Sequence, residues 1–170
     1  MPLRDTLNML HESQRREQQT IQDRQNLIQE WKQAIESLYA QIRTYLAEYE
    51  KDSSLIISEE GIRLTEETLG SYGVQTMKIA AGPATIIIQP IGRMIIGAQG
   101  RVDMHRHGRA TEQYRVMFLR MPKSATDATP IWWIRLPVEA AGTFGRLPPQ
   151  ERTVPFEKAT LEQALDFLLN

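Results

Sequence analysis

The residues best placed to do chemistry are Asp103-Met104-His105-Arg106-His107. On a strand, alternate side chains share a face, so Asp103, His105 and His107 would align while Val102 and Met104 point into a core. A carboxylate and two imidazoles on one face are ligands for a transition metal, and two of the three histidines lie here. A row along one strand is too extended to close a metal site alone, however, and Gly108 ends the strand beside His107. The bland reading is the polar face of a half-exposed strand, and no cofactor is expected.

A second constellation is the arginine series Arg93, Arg101, Arg106, Arg109, Arg115 and Arg120. Guanidinium groups on a sheet can hold phosphates bidentately. Tyr114, Phe118, Trp132 and Trp133 could offer stacking surfaces to bases, although aromatic residues in such strands belong more naturally to a core. Arg101, Arg106, Arg109 and Arg115 form the centre of this nucleic-acid or partner surface. Between Gln75 and Ala125 there are 8 Lys and Arg against 2 Asp and Glu, whereas the whole chain carries −1. The acidic stretch Ser53–Val74 could match this surface instead of a polyanion.

Other motifs are weak. Gly92, Gly97 and Gly100 lack the Lys-Ser/Thr and the helix pattern of a phosphate loop. Ser54, Ser58, Ser71 and Ser124 occupy no nucleophile elbow. Glu59, Glu60, Glu66 and Glu67 read as solvated turn residues. With no cysteine, thiolate metal sites, cysteine nucleophiles and disulfides are excluded.

The elements that would position these residues are strands. Apolar and β-branched runs fall at Val74–Ala80, Ala84–Gln89, Met94–Gly97, Arg101–His105, Tyr114–Met121 and Ile131–Leu136. Gly82-Pro83 and Ala98-Gln99-Gly100 read as hairpin turns. Short connections favour an antiparallel meander. Tyr114–Met121 and Ile131–Leu136 are apolar on both faces, and such strands need cover on both sides. A helix over Leu161–Leu169, with Thr160 as N-cap and Gln163 as its capping-box partner, can cover one side. The other side needs the long helix, the start of the domain or a second protomer. Val138–Pro155, rich in Pro and Gly, reads as a surface crossing.

Ahead of these strands lies a long helix. From Leu3 to Glu60 there is no Gly or Pro, and the residues are mostly good helix formers. Steps of four and three give Leu3, Leu7, Leu10, Gln14, Glu17, Ile21, Arg24, Ile28, Trp31, Ile35, Leu38, Ile42, Tyr45 and Tyr49. A strict heptad lattice of this kind predicts a coiled coil. Ile21, Ile28, Trp31, Ile35, Leu38, Ile42 and Tyr45 are its expected oligomerisation seam. His11–Thr20 contains no apolar residue and either frays or is a polar stretch in the seam. A helix of this length, roughly 70 Å, exceeds the ~35 Å diameter of the remaining chain, so half of it should project.

The fold expected is α+β: residues 1–52 a coiled-coil helix, residues 53–170 a mainly antiparallel β-sheet domain with a C-terminal helix. Composition is that of an ordinary soluble chain, with 41% apolar and 24% charged residues. Neither a signal peptide nor a membrane span is evident, so the cytoplasm is the expected address. The functional expectation is a non-enzymatic, homo-oligomeric interaction or adaptor protein, with a dimer favoured, presenting its β-rich domain to a protein partner. Nucleic-acid binding through Arg93–Arg120 is the rival, and a metal-dependent enzyme centred on Asp103, His105 and His107 the third reading.

Overall fold

A computed structural model describes residues 2–137 and 152–170. Helix α1 runs from Leu3 to Tyr45, and a short helix α2 covers Ala47–Lys51. Ser53 adopts a positive φ of 65°, and the Asp52 carboxylate accepts the amide of Ser54 at 2.9 Å. Together they terminate the helical run, because an αL residue cannot continue the ladder.

Seven strands follow: β1 (Ile56–Glu66), β2 (Gly70–Ala81), β3 (Ala84–Gly92), β4 (Arg101–Arg106), β5 (Arg115–Pro122), β6 (Pro130–Arg135) and β7 (Thr153–Pro155). Each pairs antiparallel with its neighbour in sequence, giving one sheet in the order β1 to β7. The expected meander and α+β class are therefore what the chain forms. Helix α3, Lys158–Leu169, closes it.

Several local expectations need correction. Met94–Gly97 is not a strand. It lies in the β3–β4 connection and makes only an isolated bridge, Ile95 to Ala98. Strand β1 and the residue before it carry only two short apolar runs, Leu55–Ile57 and Ile62–Leu64, because Glu59, Glu60 and Gly61 interrupt the pattern without interrupting the pairing of β1 with β2. Helix α3 begins earlier than expected. Its N-cap is Glu157, and Thr160 sits three residues on, its hydroxyl accepting the Glu157 amide at 2.9 Å. Within Val138–Pro155, Thr153–Pro155 pairs with β6 as an edge strand. Residues 138–151 of that stretch lie outside the described residues.

One face of the sheet carries the core. Ile86, Ile88, Val102, Met104, Val116, Phe118 and Ile134 alternate along β3–β6 and are buried. Both α1 and α3 lie on this face. The Trp132 indole donates to Ala34 O at 3.2 Å. Phe156 sets its ring edge against Phe118 and also meets Tyr45. Arg106 donates to Leu169 O at 3.2 Å, at the end of α3. Gly100 lies so close to Trp31 that an added Cβ would collide with the indole. The second half of α1 is thus part of the β domain's own core, with Trp31, Ala34, Ile35, Leu38, Tyr39, Ile42 and Leu46 all buried.

That placement gives the heptad lattice two different environments. Trp31, Ile35, Leu38 and Ile42, expected to face a partner helix, face the sheet of the same chain, with Ile28 and Tyr45 partly buried beside them. The first half of the helix touches nothing in the core. Leu3 is 73% exposed, Leu7 45%, Leu10 60% and Ile21 53%. At 1.5 Å per residue, Leu3–Asn26 extends about 36 Å from the body.

Candidate functional site: the uncovered face of the sheet

Strand register defines a surface opposite the helices. Gln89 pairs with Asp103, Asp103 with Met117, Met117 with Arg135, and Arg135 with Thr153. One row away, His105 pairs with Arg115; on the other side, Arg101 pairs with Leu119 and Leu119 with Trp133. All these side chains alternate away from the core positions. Among the described residues no helix lies over them.

Asp103 is the centre of the group. Its carboxylate is buried and accepts from Arg101 Nε at 2.7 Å and Nη2 at 2.8 Å. Arg115 Nη1 approaches the second oxygen at 3.4 Å. The Arg101 pair is a bidentate fork, the geometry in which a guanidinium matches a carboxylate best. Arg101 is held above its ordinary pKa by this hydrogen bond. His105 is pushed below its ordinary value chiefly by burial, with Asp103 pulling the other way and Arg115 and His107 adding to the drop.

The metal-ligand row is consequently divided. Asp103 and His105 do share a face, but both carboxylate oxygens are engaged by arginine. His107 has passed into the turn after β4, where it is exposed and its amide donates to Thr85 O at 2.8 Å. Among the described residues no three His, Cys, Asp or Glu side chains converge as a metal site would require.

The arginine series is divided too. Arg101 and Arg115 lie on the uncovered face. Arg106 and Arg120 alternate to the helix side, where Arg106 reaches the end of α3 and Arg120 comes under the influence of Glu30 on α1. Arg109 lies over the Tyr114 ring at 5.9 Å, and Tyr114 stacks on Phe167 of α3. Arg93 belongs to the β3–β4 connection, where its amide donates to Glu66. Six arginines that are near in sequence therefore do not form one track.

No family model, curated protein or solved structure matches this chain.

The residue that sequence reading missed is Arg135. Its Nε donates to Thr153 Oγ1 at 2.8 Å. Burial, followed by the charges of Arg152 and Arg101, pushes its pKa down. The charge of Arg101 is thus felt at Arg135, 34 residues away in sequence. Period-two alternation within Ile131–Leu136 would place Arg135 with Trp133, but only the β5–β6 register sets it beside Met117. Among the described residues, the uncovered face thus combines three arginines, one buried carboxylate and half-buried Met117 and Trp133.

Glu66 has a different role from the solvated one expected of it. Its Oε1 accepts the amides of Arg93 at 3.0 Å and Met94 at 2.9 Å, and Tyr72 donates to its other oxygen. It ties the far end of the β1–β2 hairpin to the β3–β4 connection.

Proposed function

We propose that this protein is a self-associating interaction protein whose projecting helical segment, Leu3–Asn26, joins copies of the chain, a dimer in the simplest case. The observation that carries this reading is the exposed lattice Leu3, Leu7, Leu10 and Ile21 on a helix whose other end is locked into its own domain. An amphipathic helix free in water loses the apolar burial that most stabilises helices in proteins. Burying each of these side chains is worth about 2 kcal/mol. Two copies would gain roughly 15 kcal/mol gross, set against an association cost of about 4–15 kcal/mol.

The base of the segment adds to the surface. The β3–β4 connection packs there through Gly100 on Trp31, and it exposes Met94 and Ile96. The β-rich body would then present its uncovered face to a further protein, in two copies per dimer. No described helix is long and apolar enough to cross a membrane.

The test is the mass of the full chain by light scattering from low to high micromolar concentration. At least twice the monomer mass is expected. Leu7→Asp with Leu10→Asp should return it to monomer while near-ultraviolet circular dichroism shows the β domain's core intact, because neither residue touches that core. A wild-type chain that stays monomeric throughout overturns the reading.

A further inference from the structure

Among the described residues, the face opposite the helices holds more positive charge than its acids balance. Arg101 and Arg115 engage one buried carboxylate, Asp103, with Glu112 acting more weakly on Arg101, and Arg135 stands on the strand beyond β5. The arginines are not freely solvated. The side chains of Arg101 and Arg115 are 25% and 29% exposed. Burial also weighs on Arg135, and the nearby Arg101 and Arg152 charges repel it. A half-buried surplus of like charge is costly unless an anion accompanies it.

The donor inventory shows what is left to bind. Each guanidinium has five N–H groups in a fixed fork. Arg101 spends one Nε and one Nη2 hydrogen on Asp103, which leaves both hydrogens of Nη1 and the second of Nη2. Arg115 directs Nη1 to Asp103, and its Nε is buried without a partner. Arg135 spends Nε on Thr153, so both of its Nη groups remain. Arg135 and Asp103 stand two strand spacings apart across Met117, about 10 Å, which is within the combined reach of the arginine side chains. Asp103 here acts as a brace. It holds two of the forks in place, so little ordering is left for a ligand to cost.

We propose that Arg101, Arg115 and Arg135 bind a phosphomonoester dianion on the uncovered face of the sheet, with Trp133 and Met121 receiving the apolar body of the molecule that carries it. A dianion matches the surplus charge, where a single carboxylate would leave part of it unbalanced. Its three terminal oxygens also offer acceptors to several Nη donors. The neighbouring cleft, about 490 Å³, is lined by Met121, Pro122, Trp133 and Arg135 together with Lys123 and Thr153. It has room for a ring-sized group beside the phosphate. A nucleic-acid strand is the poorer fit, because Arg106, Arg109 and Arg120 do not continue the site along this face. The proposal is independent of self-association through α1.

Isothermal titration calorimetry on the untagged full chain tests this with inorganic phosphate and with phenyl phosphate, ionic strength being held constant with chloride. Saturable binding of one equivalent per chain is expected for both, tighter for phenyl phosphate, with the Trp133 contribution to fluorescence changing in step. Arg135→Gln should weaken binding on the order of tenfold, the loss of a charge-assisted pair. Arg135→Lys should fall between, and Arg109→Gln should bind as the parent does. Unchanged circular dichroism and thermal unfolding in each variant separate loss of the site from loss of the fold. Absence of saturable heat with either ligand, or equal affinity in Arg135→Gln, would overturn the proposal.

Discussion

The hydroxyl of Tyr39, on α1, donates to the main-chain oxygen of Gln75, on β2, across 2.6 Å. The same hydroxyl lies 3.2 Å from Ile88 O on β3. Strands β2 and β3 pair only as far as Met77 with Ile88, while β2 continues with β1 to Gly70. Tyr39 therefore sits at the fork where β3 leaves the β1–β2 ribbon, and it satisfies carbonyls that the sheet ladder no longer serves. Tyr39→Phe removes the donor shared by the part-buried Gln75 carbonyl and the buried Ile88 carbonyl. A loss of about 1–3 kcal/mol in urea unfolding is expected. No measurable loss would mean that water takes over both carbonyls.

Alkaline stability follows from the same side chain. Burial chiefly raises the Tyr39 pKa far above its ordinary 10.0, and burial together with Glu66 does the same for Tyr72. The unfolded chain would lose these protons first. Their contribution is thus complete below pH 10 and declines as the pH rises past it. Unfolding midpoints measured from pH 8 to 11.5 should fall at the upper end, and the fall should be shallower in Tyr39→Phe.

Glu66→Ala should release the β3–β4 connection. It deletes the acceptor of two main-chain amides and of the Tyr72 hydroxyl. Amide hydrogen exchange at Arg93 and Met94 should accelerate markedly, while Met104 and Val116 in the core stay protected. A stability loss of about 1–3 kcal/mol should accompany it. Exchange rates indistinguishable from the parent would remove the anchoring role.

Asp103→Asn should be among the most damaging single changes on the uncovered face. It leaves Arg101 and Arg115 half-buried without their carboxylate, at a cost of about 3 kcal/mol. His105 reports on it independently. Asp103 is what holds the His105 pKa up against burial and against Arg115 and His107. In the variant the pKa should fall further, visible in the imidazole proton shifts by NMR. A His105 pKa that rises would contradict the arrangement.

Much of the architecture was legible in sequence because it rests on local period. Leu3 to Tyr45 reads as one helix from the absence of Gly and Pro and from its lattice. The meander reads from short connections, and the alternation of Met104 and Phe118 with Asp103 and Met117 reads from period two. Strand β1 was partly hidden, since Glu59-Glu60-Gly61 breaks the apolar pattern while main-chain pairing with β2 carries on regardless. Within the candidate site, Asp103 and His105 could be put on one face from spacing alone. Arg135 could not join them, because its place beside Met117 depends on the β5–β6 register and the β6 loop length.

The long helix shows the boundary between the two kinds of information most clearly. Leu7 and Ile35 occupy the same heptad lattice, four repeats apart, and sequence alone determines that both belong to one apolar stripe. Only the tertiary structure decides that Ile35 is covered by the chain's own sheet while Leu7 stands in solvent. The reason is that hydrophobic burial is non-directional. A stripe records that a face must be covered, and the path of the rest of the chain determines what covers it.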